Sequence, residues 1–75
     1  MINTDDRHPG TVHIAQFFAY EHLSREDMRA ISRQCHDLAA AMVEALPDGP
    51  ELTAGLRKLL EAKDCLVRAA LPANG

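Results

Sequence analysis

The sequence predicts an all-α fold in which one short N-terminal helix precedes a long antiparallel helical hairpin. No run of Val, Ile or Thr alternates with polar residues, so no strand is expected. Two long segments carry apolar residues at helical spacing. The sequence Pro-Asp-Gly-Pro, residues 47–50, separates them and is the strongest break in the chain. A chain of 75 residues forms a single domain, 1–75, with a flexible tail over 1–8 and a C-terminal tail over 72–75.

Local signals predict where the first two helices begin and end. The sequence His-Pro-Gly at 8–10 marks a turn, after which Thr11 can cap a helix that runs to about His22. Ser-Arg-Glu-Asp at 24–27 resembles a capping box with Asp in place of the usual Glu or Gln. It predicts a second helix that runs to about Ala45.

The third helix has clear signals at both ends. Pro50 suits the first position of a helix, and Glu51 lies favourably near the positive N-terminal end. We expect this helix to run to about Leu71, because Pro72 cannot continue it.

The apolar stripes of the two long helices are wider than a hairpin needs. Each covers roughly 140° of the helix surface at about 100° per residue, and the first helix has too few turns to cover the surplus. We therefore expect self-association into a homo-oligomer, with a monomeric three-helix bundle as the alternative. The stripes comprise Met28, Ile31, Cys35, Leu38, Ala39, Met42, Val43 and Leu46, and then Leu52, Leu56, Leu59, Leu60, Leu66, Val67, Ala70 and Leu71.

Composition excludes several classes of protein. Two cysteines, Cys35 and Cys65, make neither a disulfide framework nor a zinc motif. No apolar run approaches the ~20 residues of a membrane span, and the polar start of the chain does not resemble a signal peptide. We expect a cytoplasmic protein with reduced thiols. The net charge of −3 argues against binding to long nucleic acid, but a local basic cluster can still hold a small anion.

Arginines recur along one side of the second helix. Their guanidinium groups form planar forks that suit phosphate oxygens, so the stripe can hold a small polyanion. The alternative is a solvated face with local ion pairs, Glu26 to Arg29 and Arg33 to Asp37. The stripe comprises Arg25, Arg29 and Arg33, with Ser32 and His36 beside it.

All three aromatic residues of the chain fall within residues 17–20. A helical face that carries aromatic, phenol, amide and imidazole groups suits stacking on a nucleobase and hydrogen bonding to its edge. Phe17 and Phe18 are alternatively core residues, whereas Tyr20 is the better ligand candidate because it has a polar end. On a continuous helix the shared face comprises His13, Gln16, Phe17 and Tyr20, with Phe18 and Ile14 on another.

Lys63 lies within the apolar stripe of the third helix, where its ammonium group needs a partner. We expect a carboxylate such as Glu21 or an acid of another subunit, with an anionic ligand as the alternative. Arg68 lies outside that stripe. No nucleophile stands beside a base, and the four histidines lack metal-ligand spacing, so we expect neither an enzyme nor a cofactor.

Three short segments together resemble a known family. They are Phe-Ala-Tyr at 18–20, AISRQCHDLA at 30–39, and PELTAGLRKLLEAKD at 50–64, which follows the Leu-Pro turn. Their order resembles the phage anti-CBASS sponges, which sequester cyclic oligonucleotides, and the hairpin domain of anti-Thoeris sponges. The resemblance covers roughly residues 8–71.

The resemblance implies a homohexamer in the cytoplasm of an infected bacterium, which binds cyclic dinucleotides between protomers without cleaving them. It implies that Tyr20 packs on the bases and that Arg33 contacts phosphate, with Arg29 as a substitute. Some members of the family also bind cyclic trinucleotides, for which Arg68 is the nearest candidate here. A protein-interaction module without a nucleotide ligand is the alternative function.

Overall fold

The computed structural model describes residues 2–71, which fold into three α-helices without a strand in that range. The helices are α1, Pro9–Ala15; α2, Glu26–Ala45; and α3, Pro50–Ala69. A single 3₁₀ turn, Gln16–Phe18, extends α1. Helices α2 and α3 pack as a hairpin, α1 packs on α3, and the 3₁₀ turn packs on α2. The all-helical prediction is confirmed; Met1, the stop at Pro72 and the tail 72–75 lie outside the described residues.

The core is built from small and medium-sized apolar residues around one aromatic ring. Phe18 is fully buried, and Leu56 and Val43 are nearly so. Ala39 is fully buried as well, and such a small side chain lets α2 and α3 approach closely. The cluster comprises Ile2, Ile14, Ala15, Phe18, Cys35, Ala39, Val43, Leu52 and Leu56.

The first helical segment ends at Phe18, so the prediction that it reaches His22 is wrong. Ala19 adopts an extended conformation, with φ −60° and ψ 142°. Burial of Phe18 anchors the end of the 3₁₀ turn in the core, and the chain must then reverse to begin α2. The backbone amide of Leu23 donates to the carbonyl of Tyr20 at 3.1 Å and closes that reversal.

Neither Thr11 nor Ser24 occupies the N-cap position that the sequence predicted. The Nδ1 atom of His8 accepts from the Gly10 amide at 2.9 Å and caps α1, whereas Thr11 is buried with its hydroxyl 3.0 Å from that of Thr53. At the start of α2 the N-cap is Arg25, which makes no capping hydrogen bond. Asp27 instead accepts from the Met28 amide at 2.8 Å, so the predicted capping box does not form.

The segment 2–8, predicted as a flexible tail, packs against the hairpin. The side chain of Ile2 is buried in the core cluster. The Arg7 guanidinium donates to the carbonyls of Val43 and Leu46, two acceptors at the C-terminal end of α2 that lack a partner within the helix. The His8 amide donates to the Asp48 carboxylate at 2.9 Å. These contacts hold the turn between α2 and α3 against the N-terminal segment.

Only part of each predicted apolar stripe is buried. Leu38 and Leu66 remain 48% and 53% exposed and border an open groove of about 620 Å³ between α2 and α3. This apolar groove is the surplus surface that the sequence predicts. Its lining comprises Ile31, Gln34, Cys35, Leu38, Leu59, Leu66, Ala69 and Ala70.

Candidate functional site

Three of the predicted ligand residues, Tyr20, Arg29 and Arg33, line one open groove beside the first half of α2. The groove has a volume of about 760 Å³. Two guanidinium groups and one carboxylate, that of Glu26, make its lining net positive. We call it the tyrosine groove; its lining comprises Tyr20, Ser24, Glu26, Arg29, Ala30, Arg33 and Gln34.

Tyr20 reaches this groove from the loop that follows Phe18, and not from a helix. Its ring packs edge-on against the imidazole of His36, with ring centroids 5.2 Å apart and planes at 69°. The guanidinium carbon of Arg33 lies 5.8 Å from the centroid of the Tyr20 ring. A cation over an aromatic face at this distance is attracted to it, by about 0.5–1 kcal/mol at an exposed site. The Tyr20 phenol, from the loop, and the Arg33 guanidinium, from α2, therefore both line the tyrosine groove.

The loop that carries Tyr20 is held by Glu21 and Arg29. The Glu21 carboxylate accepts from the Tyr20 amide at 3.2 Å, while the Glu21 carbonyl accepts from the Arg29 guanidinium at 3.4 Å. Backbone hydrogen bonds, first from the amide of Glu21 itself and then from that of Tyr20, hold the pKa of the Glu21 carboxyl below its usual range. The carboxylate is thus charged around neutral pH and can accept from the Tyr20 amide.

The predicted ion pairs along α2 do not form within residues 2–71. The carboxylate of Asp37 lies 3.1 Å from the Nδ1 atom of His36, and that of Asp27 lies 2.7 Å from the Arg25 guanidinium. The hydrogen bond from Arg25 is the main cause that lowers the pKa of the Asp27 carboxyl. Arg29 and Arg33 have no carboxylate partner among the described residues, so the tyrosine groove offers two guanidinium groups to an anion.

The other predicted aromatic residues lie elsewhere, because the helical face that would have joined them to Tyr20 ends at Phe18. Phe18 is fully buried and presents no surface to a ligand. Phe17 is 49% exposed and contacts the ring of His13 edge-on at 5.3 Å. His13 also lies 3.1 Å from the Gln16 amide and borders a different groove, formed with the N-terminal segment.

Lys63 and Arg68 do not line the tyrosine groove. The ammonium of Lys63 pairs with its neighbour Asp64 at 3.2 Å, and not with Glu21 as the sequence suggested. Its charge also acts on Cys35, where burial raises the pKa of the thiol and the lysine partly offsets that rise. Arg68, in the last turn of α3, lies 3.5 Å from the Sγ atom of Cys65.

Sequence reasoning placed His36 and Ser32 beside the arginine stripe but assigned neither of them to the ligand site. The structure places the His36 ring edge-on against the Tyr20 ring. The His36 side chain is only 13% exposed, and its Nε2 atom is buried and has no hydrogen-bond partner within residues 2–71. The hydroxyl of Ser32 is also buried, and it has no partner in the same range. Arg29, Arg33 and His36 are spaced at i, i+4 and i+7, and residues at this spacing share a helix face. This spacing was the sequence signal that could have grouped His36 with the two arginines.

Within residues 2–71, no three His, Cys, Asp or Glu side chains converge in a way that would hold a metal ion. No helix in that range is long and apolar enough to cross a membrane. Comparisons of the chain with models of protein families, with curated proteins and with solved structures found no match.

Proposed function

We propose that this protein binds small cyclic oligonucleotides, cyclic dinucleotides first, and sequesters them without cleaving them. The observation that carries the proposal is the position of Tyr20 beside Arg33 and Arg29 on one open groove. In the cytoplasm of an infected bacterium, such binding would silence a nucleotide messenger of host immunity. That setting comes from the resemblance of three segments to the phage sponges.

The chemistry of the groove suits both parts of a nucleotide. An aromatic ring stacks on a base of any identity, which contributes ~1–3 kcal/mol per base. Guanidinium forks bind phosphate oxygens through two parallel hydrogen bonds. The volume of about 760 Å³ falls in the range of roughly 300–1,000 Å³ typical of ligand sites. These features favour binding of a phosphate-linked base over a purely apolar or purely anionic ligand.

The proposal includes self-association, because the tyrosine groove of one chain is open. A second protomer, related by a two-fold axis, would supply the missing wall and a second set of Tyr20 and Arg33. A cyclic dinucleotide has matching two-fold symmetry. The exposed apolar groove between α2 and α3 supports association of more than one chain, and Gln34 borders both grooves. A hexamer is the assembly that the family resemblance suggests.

Titration calorimetry tests this proposal. The purified protein is titrated with a panel of cyclic di- and trinucleotides, and the ligand is recovered by heating the complex and identified by chromatography. We expect saturable binding of at least one cyclic dinucleotide and recovery of the intact ligand. Recovery of a cleaved ligand would replace sequestration by catalysis, and absence of binding across the panel would overturn the proposal.

One observation favours a second function, a helical protein-interaction module. The apolar groove between α2 and α3 exposes Leu38 and Leu66 at a site where a partner helix could lie. This function predicts a monomer or dimer without nucleotide binding. Size-exclusion chromatography with light scattering, together with the calorimetry, separates the two functions.

A further inference from the structure

The Nε2 atom of His36 is buried and has no hydrogen-bond partner among residues 2–71. Buried polar atoms are almost always hydrogen-bonded, and an exception in a folded protein calls for a physical explanation. Here the opposite ring atom, Nδ1, is bonded to the Asp37 carboxylate at 3.1 Å. Because a carboxylate only accepts, Nδ1 is the donor of this bond, and the tautomer with its hydrogen on Nδ1 presents a lone pair at Nε2. The contact to Asp37 thus orients the imidazole, and no donor in residues 2–71 bonds to its Nε2 atom.

His36 is adjacent to the proposed ligand site. It follows Arg29 and Arg33 on one face of α2, and its ring packs edge-on against the ring of Tyr20 at 5.2 Å. Tyr20 lines the tyrosine groove, whereas His36 does not. The Tyr20 ring therefore contacts the His36 imidazole and also borders the groove.

No hydrogen bond of the described residues holds the Tyr20 side chain. It extends from a non-helical segment, and its backbone, not its ring, is held by the hydrogen bond from its amide to Glu21. Within the described residues its hydroxyl makes no hydrogen bond, and its ring makes an edge contact with His36 and a cation–π contact with Arg33. Contacts of this kind are worth about 1 kcal/mol each, so a stacked base can replace them.

We propose that His36 is a specificity-determining residue of the tyrosine groove. When a nucleotide binds, the Tyr20 ring turns away from His36 onto the base, and Nε2 accepts a hydrogen bond from an amino group on the edge of that base. This inference rests on the proposed function. It deepens that function by naming the ligand class: bases that carry an exocyclic amino group, adenine or guanine, bind in preference to the same bases without it.

The test uses ligand pairs that differ by one amino group. Cyclic di-AMP is compared with its analogue that carries unsubstituted purine, and cyclic di-GMP with cyclic di-IMP, by calorimetry on the full chain. The wild-type protein should prefer the amino-bearing member of at least one pair by about 5- to 100-fold, because only the amino group can donate to an acceptor that is already buried. Equal affinities within both pairs would overturn the inference and leave the proposed function intact. Failure to bind any of the four ligands would overturn the inference, whereas the proposed function falls only if no ligand of the full panel binds.

Three substitutions separate recognition from structure. His36→Phe keeps a ring against Tyr20 but has no nitrogen, and His36→Asn can keep a contact to Asp37 but has no atom at the Nε2 position. Both should bind the two members of a pair about equally. His36→Gln places an amide near the Nε2 position and should restore part of the preference. A uniform loss of affinity in all three, with the wild-type preference preserved, would show a structural role and overturn the inference.

A measurement on the wild-type protein covers the case in which these variants fail to fold. The imidazole ¹⁵N resonances of His36 are followed while cyclic di-AMP or its purine analogue is added. We expect the Nε2 resonance to move with the amino-bearing ligand and to move much less with the analogue. An Nε2 signal that neither ligand changes would overturn the inference.

Discussion

The guanidinium carbon of Arg33 lies 5.8 Å from the centre of the Tyr20 ring, although the two residues belong to different elements of the fold. Tyr20 comes from the loop after the 3₁₀ turn, and Arg33 from the second turn of α2. This pairing brings a stacking surface and a phosphate-binding group to one groove. Most of the proposed function depends on it.

Replacing Tyr20 tests the stacking surface. Tyr20→Ala should weaken binding of a cyclic dinucleotide by about 10- to 100-fold, because ~1–3 kcal/mol of stacking per base is lost. Tyr20→Phe keeps the ring and should bind within a few-fold of the wild type. Calorimetry measures both, and circular dichroism checks the fold. Equal binding by the alanine variant would place the ligand elsewhere.

Replacing the arginines tests phosphate recognition. Arg33→Ala and Arg29→Ala should each lower the affinity by about 10-fold or more, since a hydrogen bond to a charged group is worth ~1.5–3 kcal/mol. Arg57→Ala is the matched control, because it removes the same charge at an exposed position that lines a different groove, with His8 and Pro50. If all three variants lost affinity equally, the effect would be one of net charge and not of the site.

Arg7 should stabilise the hairpin through the C-terminal end of α2. Arg7→Ala leaves the carbonyls of Val43 and Leu46 without these donors and should lower the free energy of unfolding by about 1–3 kcal/mol. Lys58→Ala, at an exposed position of α3, is the control and should change stability little. Urea denaturation followed by circular dichroism measures both. An unchanged midpoint for Arg7→Ala would mean that the N-terminal segment does not hold the turn.

The apolar groove between α2 and α3 should determine self-association. Leu66→Glu introduces a charge in the lining of that groove and should shift the protein to a smaller species in light scattering. Val12→Glu introduces a charge at another exposed apolar residue, which belongs to neither stripe and does not line the groove, and should leave the assembly unchanged. A monomeric wild-type protein would contradict this prediction directly.

Cys35 should make stability depend on pH in the alkaline range. Burial raises the pKa of its thiol above the ordinary value, so the folded state holds the proton more tightly than the unfolded state. This contribution is complete below the unfolded pKa and is lost as the pH rises through the folded pKa. The free energy of unfolding should therefore fall above about pH 9, and Cys35→Ala should remove part of that slope.

Cys65 provides the control for this titration, since its side chain is exposed. Cys65→Ser should keep the alkaline slope of the wild type. Native protein should also react with an alkylating reagent at Cys65 first, and at Cys35 only after unfolding. Equal rates at the two thiols would show that Cys35 is not buried in solution.

The hairpin was largely predictable because its signals are local. The breaker at 47–50 places the end of α2 and the start of α3, and the structure has α2 ending at Ala45 and α3 beginning at Pro50, as predicted. Both depend on proline geometry and on helical periodicity, which neighbouring residues determine. Helical periodicity also predicted that part of each apolar stripe would stay exposed on the hairpin.

The candidate site was predictable in its residues but not in its geometry. The sequence pointed to Tyr20, Arg29 and Arg33 through their chemistry and spacing, and these three line one groove. A continuous helix to His22 would have placed Tyr20 on one face with His13 and Phe17. In the structure the Tyr20 ring packs against His36, and the rings of His13 and Phe17 pack against each other. Whether the Nε2 atom of His36 finds a hydrogen-bond partner depends on the residues that pack around it, and the periodicity of the sequence does not reveal which residues those are.

The sequence by itself determined the helical class, the hairpin and the side chains available for binding, because these follow from propensity, breaks and periodicity along the chain. Only the tertiary structure decided where the first helical segment ends and which face Tyr20 meets. That choice depends on burial of Phe18 among residues far along the chain, including Val43 and Leu56. The free energy of that packing ends the 3₁₀ turn at Phe18 and so brings the Tyr20 ring to Arg33 and His36.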